Sequence, residues 1–356
     1  MLDFLNDCDM KNISRDSIYI SFTQIPFSLL IREVCFSLVL IPAMFFLSCT
    51  RPEPGTHEEV LPSVKTLTMT SPGDEGEIRS LDAFVFEADG RNTLDCYQRI
   101  EEYTEECHIA SGKGEKILFL VANSRKDRWE WTDILSFSSM DRAVSELEEE
   151  SRAYPIMTGI MQMTAGTSSR IHLRPLRSTI ILNSIRCDFS GESYAGEPLR
   201  DVRVYLTYVN ASCPLTMKGS IPPLRVINSG QLDGKQVERF REKHNIVQDI
   251  ADMIGPEGIR PQAALYCYAN NTVADNIGSP FTRLVIEGSI GTDRYYYPIR
   301  INPGNKGIRA GCTYTYDVTI TRAGVTHPDG ALDECMAETE LKIEDWEEKE
   351  WYEVDF

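Results

Sequence analysis

The sequence lacks an apolar run long enough to cross a membrane as a helix, for which roughly 20 residues are needed. Its longest mainly apolar stretch, residues 34–47, follows Arg32 and ends at Ser48 and Cys49. A short apolar stretch behind a basic residue and ahead of small residues is typical of a cleaved signal peptide. We therefore predict that residues 1–48 are a signal peptide and that the rest of the chain is exported.

Cysteine and histidine spacings of the kinds that bind zinc are also missing. The chain has ten cysteines but no CxxC motif, and its five histidines are scattered, so we predict no metal site and no cofactor. The cysteines after Cys49 are odd in number and cannot all pair within one chain. We expect mainly small buried thiols, with one bridge such as Cys96 to Cys107 left open.

Common catalytic motifs are absent. Residues 191–195 lack the final glycine of a GxSxG nucleophile elbow, residues 112–114 lack the spacing of a phosphate loop, and residues 57–59 lack the second histidine of a zinc-protease helix. Carboxylates are abundant, but in an acidic chain their number does not identify an acid–base pair. The sequence therefore predicts a protein that is not an enzyme.

Basic residues are outnumbered. The chain has 36 Lys and Arg against 54 Asp and Glu, which gives a formal net charge of -18. Because neutralising phosphates requires a basic face, nucleic acid is not an expected partner. An acidic surface of this kind mainly supports solubility.

The sequence is rich in short segments of strand character that end at turn residues. In the first half these segments are residues 78–86, 117–122, 156–163, 170–173 and 179–187. In the second half they are residues 202–209, 263–268, 283–288, 295–301, 313–321 and 339–343. Several short strands on each side of a Gly- and Pro-rich stretch at 191–198 predict two tandem β-sandwiches.

One or two short helices are expected among the strands. Met140, Val144 and Leu147 are spaced as one face of a helix and follow residues 138–139, a pair of serines suited to an N-cap. Residues 236–254 carry a second pattern of apolar side chains that permits a helix.

Residues 46–49, Phe-Leu-Ser-Cys, resemble a bacterial lipobox, although Phe46 stands where the pattern prefers Leu. In a lipobox the cysteine is lipidated and becomes the new N-terminus. The resemblance implies that Cys49 carries a lipid that holds the protein in the outer membrane. Residues 50–61 are rich in Pro and Glu and are predicted to be a flexible tether.

A series of short motifs occurs in a fixed order from residue 60 to the end of the chain. The motifs are residues 78–86 with 89–90, 118–123, 155–159, 171–185, 266–271, 295–299, 313–320 and 343–346. In this order they resemble the fimbrillin family of Bacteroidota, the subunits of type V pili. Two positions depart from the family pattern: residues 310–312 read Ala-Gly-Cys instead of a commonly found Arg-Asn, and Ala269 replaces a glutamate.

The resemblance implies two transthyretin-like β-sandwiches in a mainly β, non-enzymatic fimbrial subunit. Its implied partners are other fimbrial subunits, through β-strand exchange, and the outer membrane, through the lipid; no receptor is identified. In stalk subunits of the family, a protease cuts after an arginine behind the first strand and opens a groove. A neighbour's C-terminal strand then fills that groove by β-augmentation.

The predicted organisation has four parts. They are a signal peptide at 1–48, a lipidated flexible tether at 49–62, an N-terminal sandwich at 63–190 and a C-terminal sandwich at 191–356, which ends in a donor-like tail.

A first strand is predicted near residues 64–70, and the loop behind it, residues 71–77, contains no Arg or Lys. The nearest basic residues, Lys65 and Arg79, each fall in a predicted strand, where pairing is expected to protect them. We therefore favour an anchor or accessory subunit that keeps its first strand and its lipid. The alternative is a processed stalk pilin, with Arg79 as the protease site.

The C-terminal residues have an alternating pattern. Tyr352, Val354 and Phe356 would lie on one face of an extended tail, opposite two carboxylates. We predict that residues 339–356 are donated to a neighbouring subunit, with these three side chains as anchors. The alternative is a final strand that pairs within its own domain.

A glycan-binding surface lipoprotein is the alternative from another functional class. Trp129 and Trp131 lie beside Arg125 and Lys126 and are the candidate glycan contacts, since exposed aromatic side chains commonly stack on sugars. The competing interpretation is that both rings pack onto their own sandwich.

Overall fold

The computed structural model describes residues 63–65, 77–102, 106–166, 171–217, 226–272, 274–275, 279–330 and 337–345. These residues all belong to one compact unit, Glu58–Phe356. The predicted signal peptide, the tether with Cys49 and the donor residues Tyr352, Val354 and Phe356 lie outside the described residues.

The described residues form mainly β-strands, which confirms the predicted fold class. In chain order the strands are β1 (Ser63–Lys65), β2 (Leu81–Glu87), β3 (Leu94–Ile100), β4 (Glu106–His108), β5 (Glu115–Ala122), β6 (Val144–Glu146), β7 (Met157–Thr164), β8 (Arg174–Pro175), β9 (Arg177–Cys187), β10 (Leu199–Thr207), β11 (Val209–Asn210), β12 (Ser212–Pro214), β13 (Val226–Ile227), β14 (Val247–Ile254), β15 (Ala263–Tyr268), β16 (Arg283–Ile290), β17 (Asp293–Arg300), β18 (Cys312–Ile320) and β19 (Ala337–Asp345). The helices are α1 (Phe137–Met140) and α2 (Gly234–Arg239), with short turns at Arg128–Trp131, Leu147–Glu149, Phe240–His244 and Pro303–Asn305.

The first half is organised around an antiparallel sheet in the order β3-β2-β5-β7-β8. β2 is covered on both faces: Leu81, Ala83 and Val85 belong to one apolar cluster, and Phe84 and Phe86 belong to another. This double burial explains why residues 81–86 and the central strand β5 read as nearly continuous apolar runs rather than as alternating patterns.

The second half is a sandwich of two four-stranded sheets, in the orders β14-β10-β16-β17 and β15-β9-β18-β19. Tyrosine side chains fill much of its interior, and Tyr205, Tyr268, Tyr297 and Tyr314 are each 0% exposed. The tyrosine-rich strands of the second half are therefore core strands.

β9 lies in the second half of the fold, although the sequence-based boundary places it in the first domain. It runs parallel to β18 and antiparallel to β15, so it lies in a sheet of the second sandwich. The sequence-based boundary at residue 190 instead assigns β9 to the first domain. We propose that the division between the domains falls before Arg177.

The two expected helices are shorter than the apolar patterns predict. α1 ends at Met140, whereas Val144 lies in β6, which pairs antiparallel with β12. The helical segment of the second half ends where Asn245 adopts a positive φ of 52°, and β14 follows it instead of a longer helix. In both places pairing with a strand distant in sequence overrides the local pattern.

Polar and charged groups join the two halves next to the β6–β12 pair. The Ser145 and Tyr268 hydroxyls are 2.9 Å apart, and the Tyr268 hydroxyl donates to Glu150 at 3.3 Å. Glu148 lies 3.0 Å from the ring nitrogen Nε2 of buried His244. Burial raises the pKa of the Glu150 carboxyl to about 7, although Arg177, the Ile156 amide and Tyr268 act in the opposite direction.

Candidate functional site

β1 is short, and β4 is its only partner strand among the described residues. The two strands pair antiparallel, with Val64 opposite Cys107 and Lys65 opposite Glu106. The backbone of Lys65 is therefore paired, as expected for a residue of the first strand. The rest of the predicted first strand and most of the acidic loop, residues 66–76, lie outside the described residues.

An apolar cluster occupies the face of the first sheet that carries Leu81. We call it the first-sheet cluster; its buried members are Ile78, Leu81, Ala83, Val85, Ile109, Leu118, Leu120, Ala122, Met157, Met163, Ile171 and Leu173. Ile109 follows β4 directly, so the β1–β4 pair is continuous with a side chain that covers this cluster. Because burying one such side chain is worth about 1.5–3 kcal/mol, the cluster cannot be left uncovered without a large loss of stability.

Arg79 lies before β2 and not inside it, which corrects the sequence-based placement. Its side chain is exposed, and its guanidinium stacks on the ring of Tyr154, 3.6 Å from the centroid, and donates to the Tyr154 hydroxyl. The protection expected from strand pairing is therefore absent at Arg79, and other contacts hold this segment.

Asn123 provides those contacts from the end of β5. Its side-chain oxygen accepts from the Arg79 amide at 2.9 Å, and its side-chain nitrogen donates to the Glu77 and Pro155 carbonyls, each at 2.9 Å. The Asn123 amide donates to the Ser80 carbonyl at 2.9 Å. We call this arrangement the Asn123 clasp. It fixes the segment between the first loop and β2.

The clasp joins two of the sequence motifs, and their role in holding this segment was not apparent from the sequence. Residues 118–123 and 155–159 meet because Ala122 pairs with Met157 across β5 and β7. Asn123 has a φ of 61°, a conformation that asparagine adopts more readily than most residues. An asparagine directly after an apolar strand was the available sequence signal.

The second half contains a comparable asparagine in the motif at residues 266–271. Buried Asn270 donates from its side chain to the Pro280 carbonyl at 3.0 Å and the Thr282 hydroxyl at 3.1 Å. At the neighbouring position, the Ala269 carbonyl accepts from the Asn210 side chain at 2.9 Å. At the other departure from the family pattern, Gly311 has a φ of 71°, which suits a tight turn.

β19 is an edge strand of the second sandwich. It pairs with β18 along its whole length, from Cys312 opposite Asp345 to Ile320 opposite Ala337. Leu341 and Ile343 remain 39% and 40% exposed. The first part of the proposed donor tail, residues 339–345, is therefore paired within this chain, as the alternative interpretation expected for Leu341 and Ile343.

The structure separates the two tryptophans proposed as glycan contacts. Trp131 is 4% exposed and packs edge-on against Phe84 with ring centroids 5.3 Å apart, whereas Trp129 is 77% exposed. The turn that carries both begins at Asp127, whose carboxylate accepts from the Trp129 amide at 2.8 Å. Trp129 alone offers an accessible ring in this segment.

Several cysteines form no disulfide in the structure. Cys96 is a half-buried free thiol, so it forms no bridge to Cys107, and Cys187, Cys213 and Cys267 are buried free thiols. Burial raises the pKa of each of the latter three to about 12. Within the described ranges, no group of three or more His, Cys, Asp or Glu side chains could hold a metal ion. The described residues also contain no helix long and apolar enough to span a membrane.

Sequence comparisons give no match, either to a protein-family model or to a curated protein. Solved structures do match. A proposed cell adhesion protein from Bacteroides eggerthii superposes with a TM-score of 0.63 at 14% identity, over 81% of this chain and 96% of its own. The fimbrilin FimA from Porphyromonas gingivalis gives 0.60 at 13% identity, over 81% and 98%.

A third structure, a proposed cell adhesion protein from Parabacteroides distasonis, has a TM-score of 0.58 at 14% identity, over 80% of this chain and 96% of its own. Identities this low establish the fold alone. All three chains are matched almost from end to end, so the shared arrangement includes both halves of the fold. The fold implied by the resemblance in the ordered motifs is therefore confirmed, and the chain shares its fold with these cell adhesion and fimbrial proteins.

Proposed function

We propose that this protein is a non-enzymatic fimbrial subunit, held in the outer membrane by a lipid on Cys49 and joined to other fimbrial subunits by β-strand exchange. The observation that carries the proposal is the end-to-end fold likeness to a fimbrilin, which covers 98% of that chain. The lipobox-like residues 46–49 and the absence of common catalytic motifs support it.

Strand exchange fits the physical properties of the first sheet. The first-sheet cluster contains twelve buried side chains, and its cover includes Ile109, which continues from the partner strand of β1. If β1 were displaced, a strand donated by a neighbour would restore the main-chain hydrogen bonds to β4.

We propose further that this chain keeps β1 and acts as an anchor or accessory subunit. The loop at 71–77 offers no basic residue to a protease, and the Asn123 clasp holds the backbone around Arg79. A protease would have to open the clasp before the bond after Arg79 could enter its active site. The alternative role, a processed stalk pilin, requires that opening.

The N-terminus of the protein isolated from outer membranes tests the anchor role. We expect a blocked, lipid-modified Cys49, with residues 77–80 present in the same polypeptide. A mature N-terminus at Ser80 would instead support the stalk role. As a control, Glu75→Arg places a basic residue in the acidic loop and should create a cut after residue 75 in the presence of an Arg-specific protease.

One observation favours a second candidate function, glycan binding. Trp129 is 77% exposed, which is unusual for so large an apolar ring. Binding on a glycan array that is lost in Trp129→Ala would support this function. No binding at high micromolar glycan would rule it out.

A further inference from the structure

A hollow of about 680 Å³ lies between the turn at Arg128–Trp131 and the residues that lead from α1 into β6. We call it the Trp131 hollow, and the residues that line it include Trp131, Asp133, Ile134, Arg142 and Val144. Its volume falls within the roughly 300–1,000 Å³ that small-ligand sites usually occupy. The hollow is therefore large enough for a sugar ring or a molecule of similar size.

Both walls of the hollow are held by hydrogen bonds to the main chain. In the turn, the Asp127 carboxylate accepts from the Trp129 and Glu130 amides at 2.8 and 3.2 Å. The Glu130 side chain accepts in return from the Asp127 amide at 2.8 Å. On the other side, the Ala143 carbonyl accepts from the Leu215 amide at 3.0 Å, and β6 pairs with β12. Because these walls need no reordering, a ligand binds in the hollow without that entropic cost.

An indole N–H group at the hollow has no hydrogen-bond partner within the described part of the chain. The Trp131 side chain that carries it is 4% exposed, and its nitrogen Nε1 is buried without an acceptor. A buried tryptophan N–H usually has an acceptor, because leaving such a donor unsatisfied is costly. Since Trp131 lines the hollow, an oxygen atom of a ligand bound there can supply the missing acceptor.

Some of the other polar side chains of the hollow are already engaged, and some are not. Lys126 pairs with Glu149 at 2.7 Å, and the Ser139 hydroxyl is used within the cap of α1. Asp133 and Arg142 are exposed, and neither side chain forms a hydrogen bond or an ion pair with a described residue. The hollow therefore offers one free carboxylate as an acceptor, and a guanidinium and the indole N–H as free donors.

These groups favour a neutral molecule that carries several hydroxyls. The lining contains two carboxylates and two basic side chains, so their formal charges cancel and no net field attracts an ion of either sign. A hydroxyl donates and accepts at the same time, and it therefore matches a free carboxylate beside free N–H donors. Ile134 and Val144 add apolar surface, which suits the C–H face of a sugar ring.

We propose that the Trp131 hollow binds one unit of a neutral glycan. The indole of Trp131 donates to a sugar oxygen, Asp133 accepts from sugar hydroxyls and Arg142 donates to them. Binding of this kind rests on the second candidate function, glycan binding, and places the contacts in the hollow and not on the exposed ring of Trp129. Because Trp129 does not line the hollow, variants at the two places separate the two sites. The hollow uses neither β1 nor β19, so sugar binding is compatible with strand exchange.

Isothermal titration of the purified full-length protein with simple sugars tests the proposal. The probes are the methyl glycosides of glucose, galactose, mannose, fucose and N-acetylglucosamine, with glucuronic acid as the charged comparison. We expect at least one neutral glycoside to bind, with an affinity that salt hardly changes, and glucuronic acid to bind more weakly. Asp133→Asn/Arg142→Gln should weaken binding by roughly tenfold or more, because hydrogen bonds to two charged groups are lost. The matched control, Asp252→Asn/Arg200→Gln, changes the same residue types at exposed positions outside the hollow and should bind as the wild type does.

The indole N–H of Trp131 gives a second, direct readout. In proton–nitrogen NMR spectra, the indole signal that is missing in Trp131→Phe belongs to Trp131, and in the wild type this signal should shift as the bound glycoside is added. An indole signal that stays in place at saturation, or tighter binding of glucuronic acid than of every neutral glycoside, would overturn the proposal. Loss of binding in Trp129→Ala with unchanged binding in Asp133→Asn/Arg142→Gln would also overturn it and leave glycan binding at Trp129 standing. If no neutral glycoside binds at millimolar concentration, both the hollow and the second candidate function are excluded.

Discussion

Removal of the Asn123 side chain is expected to release the segment that contains Arg79. The side chain makes three hydrogen bonds, to Glu77, Arg79 and Pro155. At about 1 kcal/mol net for each bond, Asn123→Gly should lower the local stability of this segment by about 3 kcal/mol. Gly keeps the positive φ without strain, whereas Asn123→Ala should cost about 1 kcal/mol more because L-residues disfavour that conformation.

Limited trypsin digestion followed by mass spectrometry measures this opening. When opening is fast relative to cleavage, the rate of cutting follows the population of the open form. A loss of about 3 kcal/mol therefore predicts roughly a hundredfold faster cut after Arg79 in Asn123→Gly. Urea unfolding of the same variant separates local release from global destabilisation.

Asn228→Gly is the matched control for this prediction. Asn228 also has a positive φ, of 56°, and its side chain donates to the Leu206 carbonyl at 2.6 Å in the second half of the chain. This variant should unfold at lower urea without a selective cut after Arg79. If Asn123→Gly cuts no faster after Arg79, or if cuts after Arg186 and Arg322 accelerate equally, the clasp does not control access to this segment.

Three further predictions concern other parts of the chain. The folded-state pKa of Glu150, about 7, is above its ordinary 4.5, so the folded state binds this proton more tightly than the unfolded state does. The free energy of unfolding of the wild type should therefore fall as the pH rises from 4.5 through 7, by up to about 3 kcal/mol. Urea unfolding of Glu150→Gln at pH 5 and pH 8 should lack this pH-dependent loss of stability. If the wild type and Glu150→Gln have equal pH profiles, Glu150 is not the group responsible. Replacing Tyr352, Val354 and Phe356 with Ala should block incorporation into fibres and leave the melting temperature nearly unchanged. The control, Ala at Glu353 and Asp355, should permit assembly. Normal assembly of the first variant would exclude the tail as the donor strand. In chemical denaturation, Trp131→Ala should lower the free energy of unfolding by about 3–5 kcal/mol because its ring is buried, and Trp129→Ala by less than about 0.5 kcal/mol. Similar losses in the two variants would contradict the difference in their burial.

The sequence alone determined the positions of strands that are buried on both faces or alternate clearly. β15 occupies residues 263–268 as predicted, and β5 extends the predicted run 117–122 by two residues at its start. Such segments have one stable arrangement, because their apolar side chains must be removed from water whatever the neighbouring strands are. The ordered motifs added the resemblance to fimbrillins, and the fold is of the kind that this resemblance implies.

Other features were decided by contacts between residues distant in sequence. Residues 144–146 and 247–254 carry patterns that permit a helix, and they became strands because β12 and β10 supply hydrogen-bond partners for them. The two tryptophans have nearly the same sequence surroundings, yet only Trp131 meets the face of the first sheet.

The candidate sites were the least accessible from the sequence. The Asn123 clasp requires the ends of β5 and β7 to lie side by side. A sequence pattern specifies which face of a strand a side chain occupies, but not which strand is its neighbour. Tertiary pairing decides that neighbour, and here it places the clasp over the segment that contains Arg79.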